Sequence, residues 1–184
     1  MALFEIQPTR VDLAVAREAE KYACPALERP AEFASYAADE NFLLFLGAGL
    51  WLVSRFGDTR ARDNADYLAL NLVASAVLPH LFKRVVDQQR PDRRVHGFRH
   101  GIPKSGNAYD AFPSGHALHI GTLASVAGRL FPRWRWIAWG AGLALASTRV
   151  VLLAHWLSDV VAGLAMGATL EAGLAKLSPP RWFR

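Results

Sequence analysis

The chain is poor in charge, nearly devoid of cysteine and without internal punctuation. Of its 184 residues, 20% are Asp, Glu, Lys or Arg, against about 25% in an average soluble domain. Hydrophobic residues make up 52%, which excludes an intrinsically disordered chain and favours a membrane protein over a soluble helical bundle. Cys24 is the only cysteine, so neither an intrachain disulfide nor a cysteine-based zinc site can form. No repeats, low-complexity tracts or Gly/Ser linkers divide the sequence, which predicts one domain over residues 1–184. The opening Met1-Ala2-Leu3-Phe4-Glu5 lacks a basic n-region and an apolar h-region. Membrane insertion is therefore expected to rest on internal segments. No apolar stretch reaches the ~20 uninterrupted residues of a simple spanning helix.

What is present is an excess of positive charge and a helical pattern. The net charge of +5 and pI near 9.8 suit an anionic partner: phosphate, an acidic lipid surface or nucleic acid. Residues 8–30 read as one amphipathic helix with Thr9 as N-cap and Asp12 as the acidic partner of a capping box. Its apolar stripe is Val11, Val15, Ala19 and Tyr22, and Pro25 and Pro30 are expected to end it. Five apolar stretches follow, at 41–54, 67–82, 117–128, 136–148 and 160–174. Small residues at Gly47, Gly49, Ala74, Gly121, Gly140, Gly142, Gly163 and Gly167 suit close helix packing in lipid. Trp134, Trp136 and Trp139 suit an interfacial aromatic belt. The predicted fold class is an all-α, multi-span membrane bundle of about five spans. Residues 1–40 form an interfacial helix and 41–178 the transmembrane catalytic bundle. The basic, Gly- and Pro-rich segment from Lys83 to Phe112 reads as a loop.

Three clusters at the ends of apolar stretches carry chemistry. Lys83 and Arg90 are seven residues apart, which on a helix places both on one face. Such a pair can clamp a phosphate, the Lys as a point charge and the Arg as a planar fork. Pro113-Ser114-Gly115-His116 precedes an apolar run. Ser114 as N-cap leaves the amides of Gly115 and His116 open to an anion, and His116 beside them can protonate a leaving group. Arg149, His155 and Asp159 form the third cluster. His155 and Asp159 are i and i+4, so the carboxylate can fix the imidazole tautomer, as a nucleophilic His requires. Arg149 lies in a nearly continuous apolar run, where a charge is costly and marks a functional candidate. Alone, each cluster also fits a plainer reading: a headgroup-facing basic run, an ordinary Ser cap, a surface His–Asp pair.

Together they resemble the type 2 phosphatidic acid phosphatase (PAP2) superfamily. Its signature is Lys, six residues, Arg-Pro; then Pro-Ser-Gly-His; then Ser-Arg, five residues, His, three residues, Asp. Lys83 to Pro91 and Pro113 to His116 match in full, and Arg149, His155 and Asp159 match at the right spacing. Thr148 stands where the pattern has Ser, and it keeps the hydroxyl. The resemblance implies a helical bundle, a phosphohistidine intermediate and no metal or other cofactor. It implies His155 as nucleophile, Asp159 as its orienting group and His116 as acid and then base. Lys83, Arg90, Arg149, Ser114 and Gly115 become the phosphate cradle.

The expected substrate is a phosphomonoester or diphosphate of a lipid or polyprenol, met in the bilayer, with no nucleic acid partner. A soluble acid phosphatase or vanadate-dependent haloperoxidase of the same superfamily, and a non-enzymatic binder of anionic lipid, are the alternatives. If the basic loop's charges serve phosphate, the opposite end of the bundle is the cytoplasmic one. The expected location is the bacterial inner (plasma) membrane with the site on its periplasmic or extracellular face. His96 and His100 are four apart, but no third ligand accompanies them. His119, one turn past His116, reads as a core histidine, while His80 and the headgroup role of Arg93, Arg94, Arg99 and Lys104 stay open.

Overall fold

The structure, a computed structural model, describes residues 3–94, 107–179 and 182. Among them are helices α1 (Arg10–Lys21), α2 (Pro25–Ser35), α3 (Glu40–Ser54), α4 (Thr59–Lys83), α5 (Pro91–Arg94), α6 (Gly115–Leu130), α7 (Arg135–Val151) and α8 (Leu157–Leu177). The five apolar stretches become α3, α4, α6, α7 and α8. By length and composition α4 and α8 can each cross a membrane.

The polarity of the bundle is inside out. Phe45 is 81% exposed and Trp136 is 74% exposed, whereas Asn71, Ser75 and Thr122 are fully buried. A soluble bundle puts these residue types the other way round. The buried polar groups bond to helix carbonyls: Asn71 Nδ2 donates to Tyr67 O (2.9 Å), Ser75 Oγ to Leu72 O (2.9 Å) and Thr122 Oγ1 to Leu118 O (3.0 Å). Outward apolar side chains meeting lipid, with inward hydroxyls satisfied, are what a bilayer demands of a helix. The bundle is a membrane fold.

Its axis is the α6–α8 pair, packed backbone to backbone. A Cβ at Gly163 would lie 2.6 Å from Ser114 O. One at Gly167 would strike Leu118 O, and one at Gly121 would strike the Leu164 backbone. These glycines serve the close packing expected of them. Gly49 and Gly140 do not, because a Cβ there meets nothing within 4 Å.

The N-terminal segment is two helices rather than one. Thr9 and Asp12 form the expected capping box, with Thr9 N donating to Asp12 Oδ2 at 2.8 Å. The helix stops at Lys21, and Pro25 starts α2 at its first position, where its missing N–H is no loss. Pro30 sits inside α2 and forgoes only the bond to the Ala26 carbonyl. Asp12 also binds the first turn of α8, accepting from Ser158 N and Ser158 Oγ, both at 2.8 Å. Four donated hydrogen bonds outweigh burial and hold the Asp12 carboxyl below its ordinary range. Helix α1 is thus fastened beside the chain that enters α8.

Candidate active site

Lys83 and Arg90 converge, but not on one helical face. Helix α4 ends at Lys83, and the chain then runs extended as β2 (Val86–Asp87), paired in parallel with β1 (Phe4–Glu5). The β-branched Val85-Val86 step and the available partner strand favour extension over another helical turn. Arg90 N donates to Ala108 O (3.0 Å), and Gln88 pairs with the 109–111 segment through Gln88 N to Tyr109 O (2.9 Å) and Ala111 N to Gln88 O (3.1 Å). This pairing brings Asp110 against both cations: its carboxylate lies 2.7 Å from Arg90 Nε and 3.6 Å from Lys83 Nζ.

Arg149 and His155 meet across the α7–α8 turn. Ala154 N and His155 N both donate to Arg149 O, at 3.0 and 3.2 Å. Leu153 adopts a left-handed backbone, φ 51°, a conformation that costs free energy for a residue with a branched side chain. Three contacts hold the turn in place: Asp92 N to Leu153 O (3.0 Å), Arg90 Nη1 to Ala154 O (3.1 Å) and Trp156 Nε1 to Gln89 O (2.7 Å). Arg149 Nη1 in turn donates to Ser35 Oγ of α2 at 2.7 Å.

The His155 ring is oriented by a backbone carbonyl. Its Nδ1 lies 2.6 Å from Ala111 O. A carbonyl can only accept, so Nδ1 carries the proton and Nε2 of the neutral ring keeps its lone pair. Asp159 Oδ2 is 4.0 Å from Nδ1, an electrostatic neighbour beyond hydrogen-bond range. The expected direct Asp159–His155 bond is absent because Oδ2 instead accepts from Trp156 N at 2.9 Å, closing the first turn of α8. Burial, followed by the charges of Arg90, Arg149 and Lys83, holds His155 well below the ordinary imidazole pKa of 6.5.

The Pro113–His116 cluster folds as its place before an apolar run predicts. Ser114 caps α6, its Oγ accepting from Ala117 N at 3.4 Å, and Ser114 N reaches Asp159 O at 3.3 Å. The amides of Gly115 and His116 have no acceptor among the described residues, as at any helix start. Ser114 itself is fully buried and acts through the cap. A cavity of about 410 Å³ has Lys83, Arg90, Gly115, His116, Arg149 and His155 in its lining. Asp159 and Ser114 stand behind it.

Several participants had no sequence signal. Ala111 acts through its carbonyl and Ser35 through a contact 114 residues away in sequence. Asp110 reveals its role only through the strand pairing. Arg94 bonds Gln7 (2.8 Å) and Arg93 lies 3.9 Å from Asp92, so both are engaged locally. His96, His100, Arg99 and Lys104 lie outside the described residues. His119 is buried and bonded to Ser75 Oγ at 2.9 Å through Nδ1, yet it also lines the cavity.

The chain is similar to known proteins in sequence and in fold. Over 128 residues the chain is 40% identical to the lipid A 1-phosphatase of Rhizobium johnstonii, covering 63% of this chain and 52% of that one. It is 34% identical over 113 residues to the undecaprenyl-diphosphatase of Sulfolobus acidocaldarius, covering 61% and 54%. The chain spans about half the length of these sequence relatives. In fold it is similar to LpxE of Aquifex aeolicus, with TM-score 0.69 and 19% identity over 96% of this chain and 99% of that one. It is also similar to a transmembrane PAP2 type phosphatidylglycerolphosphate phosphatase from Bacillus subtilis, with TM-score 0.64 and 20% identity over 94% and 87%. The PAP2 superfamily sequence model matches residues 65–183, a span that holds the Lys83–Arg90, Ser114–His116 and Arg149–Asp159 clusters. With motif, fold and family match in agreement, the chain belongs to the PAP2 superfamily.

Proposed function

We propose that this protein is an integral membrane lipid phosphatase that hydrolyses a phosphomonoester or diphosphate of a lipid or polyprenol through a phosphohistidine, without a metal. One observation carries the reading: His155, with Nδ1 committed to Ala111 O, shares a cavity with Lys83, Arg90 and Arg149. His155 Nε2 attacks phosphorus and the bond to the leaving oxygen breaks, while a protonated His116 gives that oxygen its proton. Lys83, Arg90, Arg149 and the Gly115 amide stabilise the equatorial oxygens, and Ser114 holds that amide in position. His116 then takes a proton from water, which attacks phosphorus, breaks the N–P bond and releases inorganic phosphate. Asp159 fixes the turn that carries His155 and offsets the positive charge that builds on the ring.

The five apolar helices form the membrane bundle of a single domain over residues 1–184, with residues 1–40 against it at the interface. The location is the bacterial inner membrane with the site on the periplasmic face. Support comes from the far end of the bundle, which gathers Arg55, Arg133 and Arg135 with indole rings. Arg55 lies 4.5 Å from the Trp51 ring centroid and Arg135 lies 4.7 Å from that of Trp136. The indoles mark a membrane interface, and the cations make it the cytoplasmic one once the greater positive charge at the site end is assigned to phosphate. The inverted polarity weighs against a soluble phosphatase or haloperoxidase, and passive lipid binding would leave the fixed His155 tautomer without use.

Phosphate release by detergent-purified protein in EDTA tests the reading. Phosphatidate, phosphatidylglycerol phosphate, undecaprenyl diphosphate and lipid A 1-phosphate serve as the panel. Release that falls at least about 10³-fold in His155→Ala is expected. No release from any of the four, or an alanine variant within tenfold of wild type, contradicts it.

A further inference from the structure

The cavity lining also holds a group of side chains to which the phosphate chemistry above assigns no role. Glu40 from the start of α3, His80 from α4 and His119 from α6 face one another there. His80 Nε2 is 3.0 Å from Glu40 Oε2, and His119 Nε2 is 4.0 Å from the same oxygen. The three form a gradient of access, with side chains 61%, 35% and 3% exposed for His80, Glu40 and His119. Ser75 takes His119 Nδ1 at 2.9 Å, which orients the ring so that Nε2 faces the cavity. Pro79 interrupts the α4 hydrogen-bond ladder just before His80.

The position of this group identifies what it would touch. His119 lies on α6 one turn beyond His116, so the two share a face. In the proposed reaction His116 meets the leaving oxygen, so the group attached to that oxygen extends toward His119 and Glu40. This group's chemistry differs from the cradle's: it accepts at Glu40, with Asp39 beside it in the lining, and can donate or accept at each imidazole. An alkyl or polyprenyl chain seated here would desolvate the carboxylate and return no hydrogen bond. The second phosphate of a diphosphate would meet a like charge. A hydroxyl- or amide-bearing ring can both donate to Glu40 and accept from the imidazoles.

We infer that Glu40, His80 and His119 form a leaving-group subsite that selects a hydroxylated, sugar-like headgroup over a plain polyprenyl chain. This rests on the phosphatase reading above. A site built to hydrogen-bond a hydroxyl discriminates strongly against an analogue that lacks it. The test compares kcat/KM for lipid A 1-phosphate with that for undecaprenyl phosphate in wild type, Glu40→Gln and His80→Gln. Removing the charge at Glu40 is expected to lower the ratio of the two about tenfold, the size of one lost charge-assisted hydrogen bond, chiefly through KM of the sugar phosphate. His80→Gln, on the exposed side, is expected to lower it about threefold and guards against a folding defect peculiar to Glu40. A ratio unchanged in both variants, or equal losses on both substrates, overturns the subsite. Wild-type protein that releases phosphate from neither substrate overturns the subsite, and the phosphatase reading falls with it only if phosphatidate, phosphatidylglycerol phosphate and undecaprenyl diphosphate also yield none.

Discussion

The bundle buries charge at two ends, and the two ends treat it differently. At the far end Glu171 of α8, 3% exposed, accepts from Tyr67 OH of α4 at 2.6 Å and from Arg129 Nη2 of α6 at 3.0 Å. One carboxylate, one guanidinium and one phenol tie three helices together. At the cradle end three cations converge, and Asp110 is the carboxylate that ion-pairs with two of them. The first arrangement is complete as it stands. The second sets Lys83, Arg90 and Arg149 with Asp39, Glu40 and Asp110 around an open cavity, together with helix-start amides that have no acceptor among the described residues and a left-handed Leu153. Charge enclosed between helices marks a structural site, while charge gathered around a cavity marks a functional one.

Substitutions at the two ends should separate activity from stability. Arg149→Met is expected to lower kcat/KM by about 10³-fold, as for loss of a transition-state charge donor. Its thermal midpoint should change little beside the loss of activity, because the hydrogen bond to Ser35 that is lost is offset by relief from the Lys83 and Arg90 charges near the same His155 ring. A variant that melts well below wild type while keeping its activity would break the distinction. Arg129→Met should do the reverse. It strands Glu171 in the bundle and is expected to cost about 2–4 kcal/mol of stability, with turnover per folded molecule within a few-fold of wild type. Denaturation in detergent and active-site-normalised rates check both.

Smaller effects sharpen the contrast. Asp110→Asn removes an anion from the cradle, so inhibition by inorganic phosphate should tighten roughly three- to tenfold. Weaker inhibition would mean that Asp110 chiefly holds Lys83 and Arg90 in place. The pH dependence follows from His155, whose folded pKa lies below its unfolded value. Below about 6.5 the unfolded chain takes up a proton that the folded chain refuses, so stability falls as pH drops, by at most about 1.4 kcal/mol per pH unit from this group. Asp12 works in a lower window: its depressed pKa adds stability that is lost only as pH falls below about 4. Melting midpoints at pH 7, 5.5 and 4 resolve the two, and a midpoint level from 7 to 5.5 would argue that His155 is not held neutral.

What could be read from sequence was local. Apolar runs located five helices, Thr9 and Asp12 announced a capping box, and the Ser114 cap followed from its place before an apolar run. The spacing of Arg149 and His155 matched a family pattern, and the α7–α8 turn explains it: both amides that follow Leu153 return to the Arg149 carbonyl. Contacts between distant segments were invisible. Helical geometry misplaced Lys83 and Arg90 because the β1–β2 pairing that pulls the chain out of helix involves Phe4 and Glu5, some eighty residues earlier. The orienting partner of His155 is the Ala111 carbonyl, and a backbone group leaves no mark in a side-chain pattern. Asp159 read as that partner because i and i+4 are adjacent on a helix, yet His155 lies outside α8 and Asp159 caps it.

The most direct test is to trap the covalent intermediate. Protein incubated with a radiolabelled phosphate ester bearing a good leaving group is quenched in base, where phosphohistidine survives, and digested. Label that is stable to base, lost in acid and confined to the peptide containing His155 is the expected result, with none in His155→Ala. Rapid phosphate release with no label on that peptide, or label retained in the alanine variant, would contradict nucleophilic attack by His155.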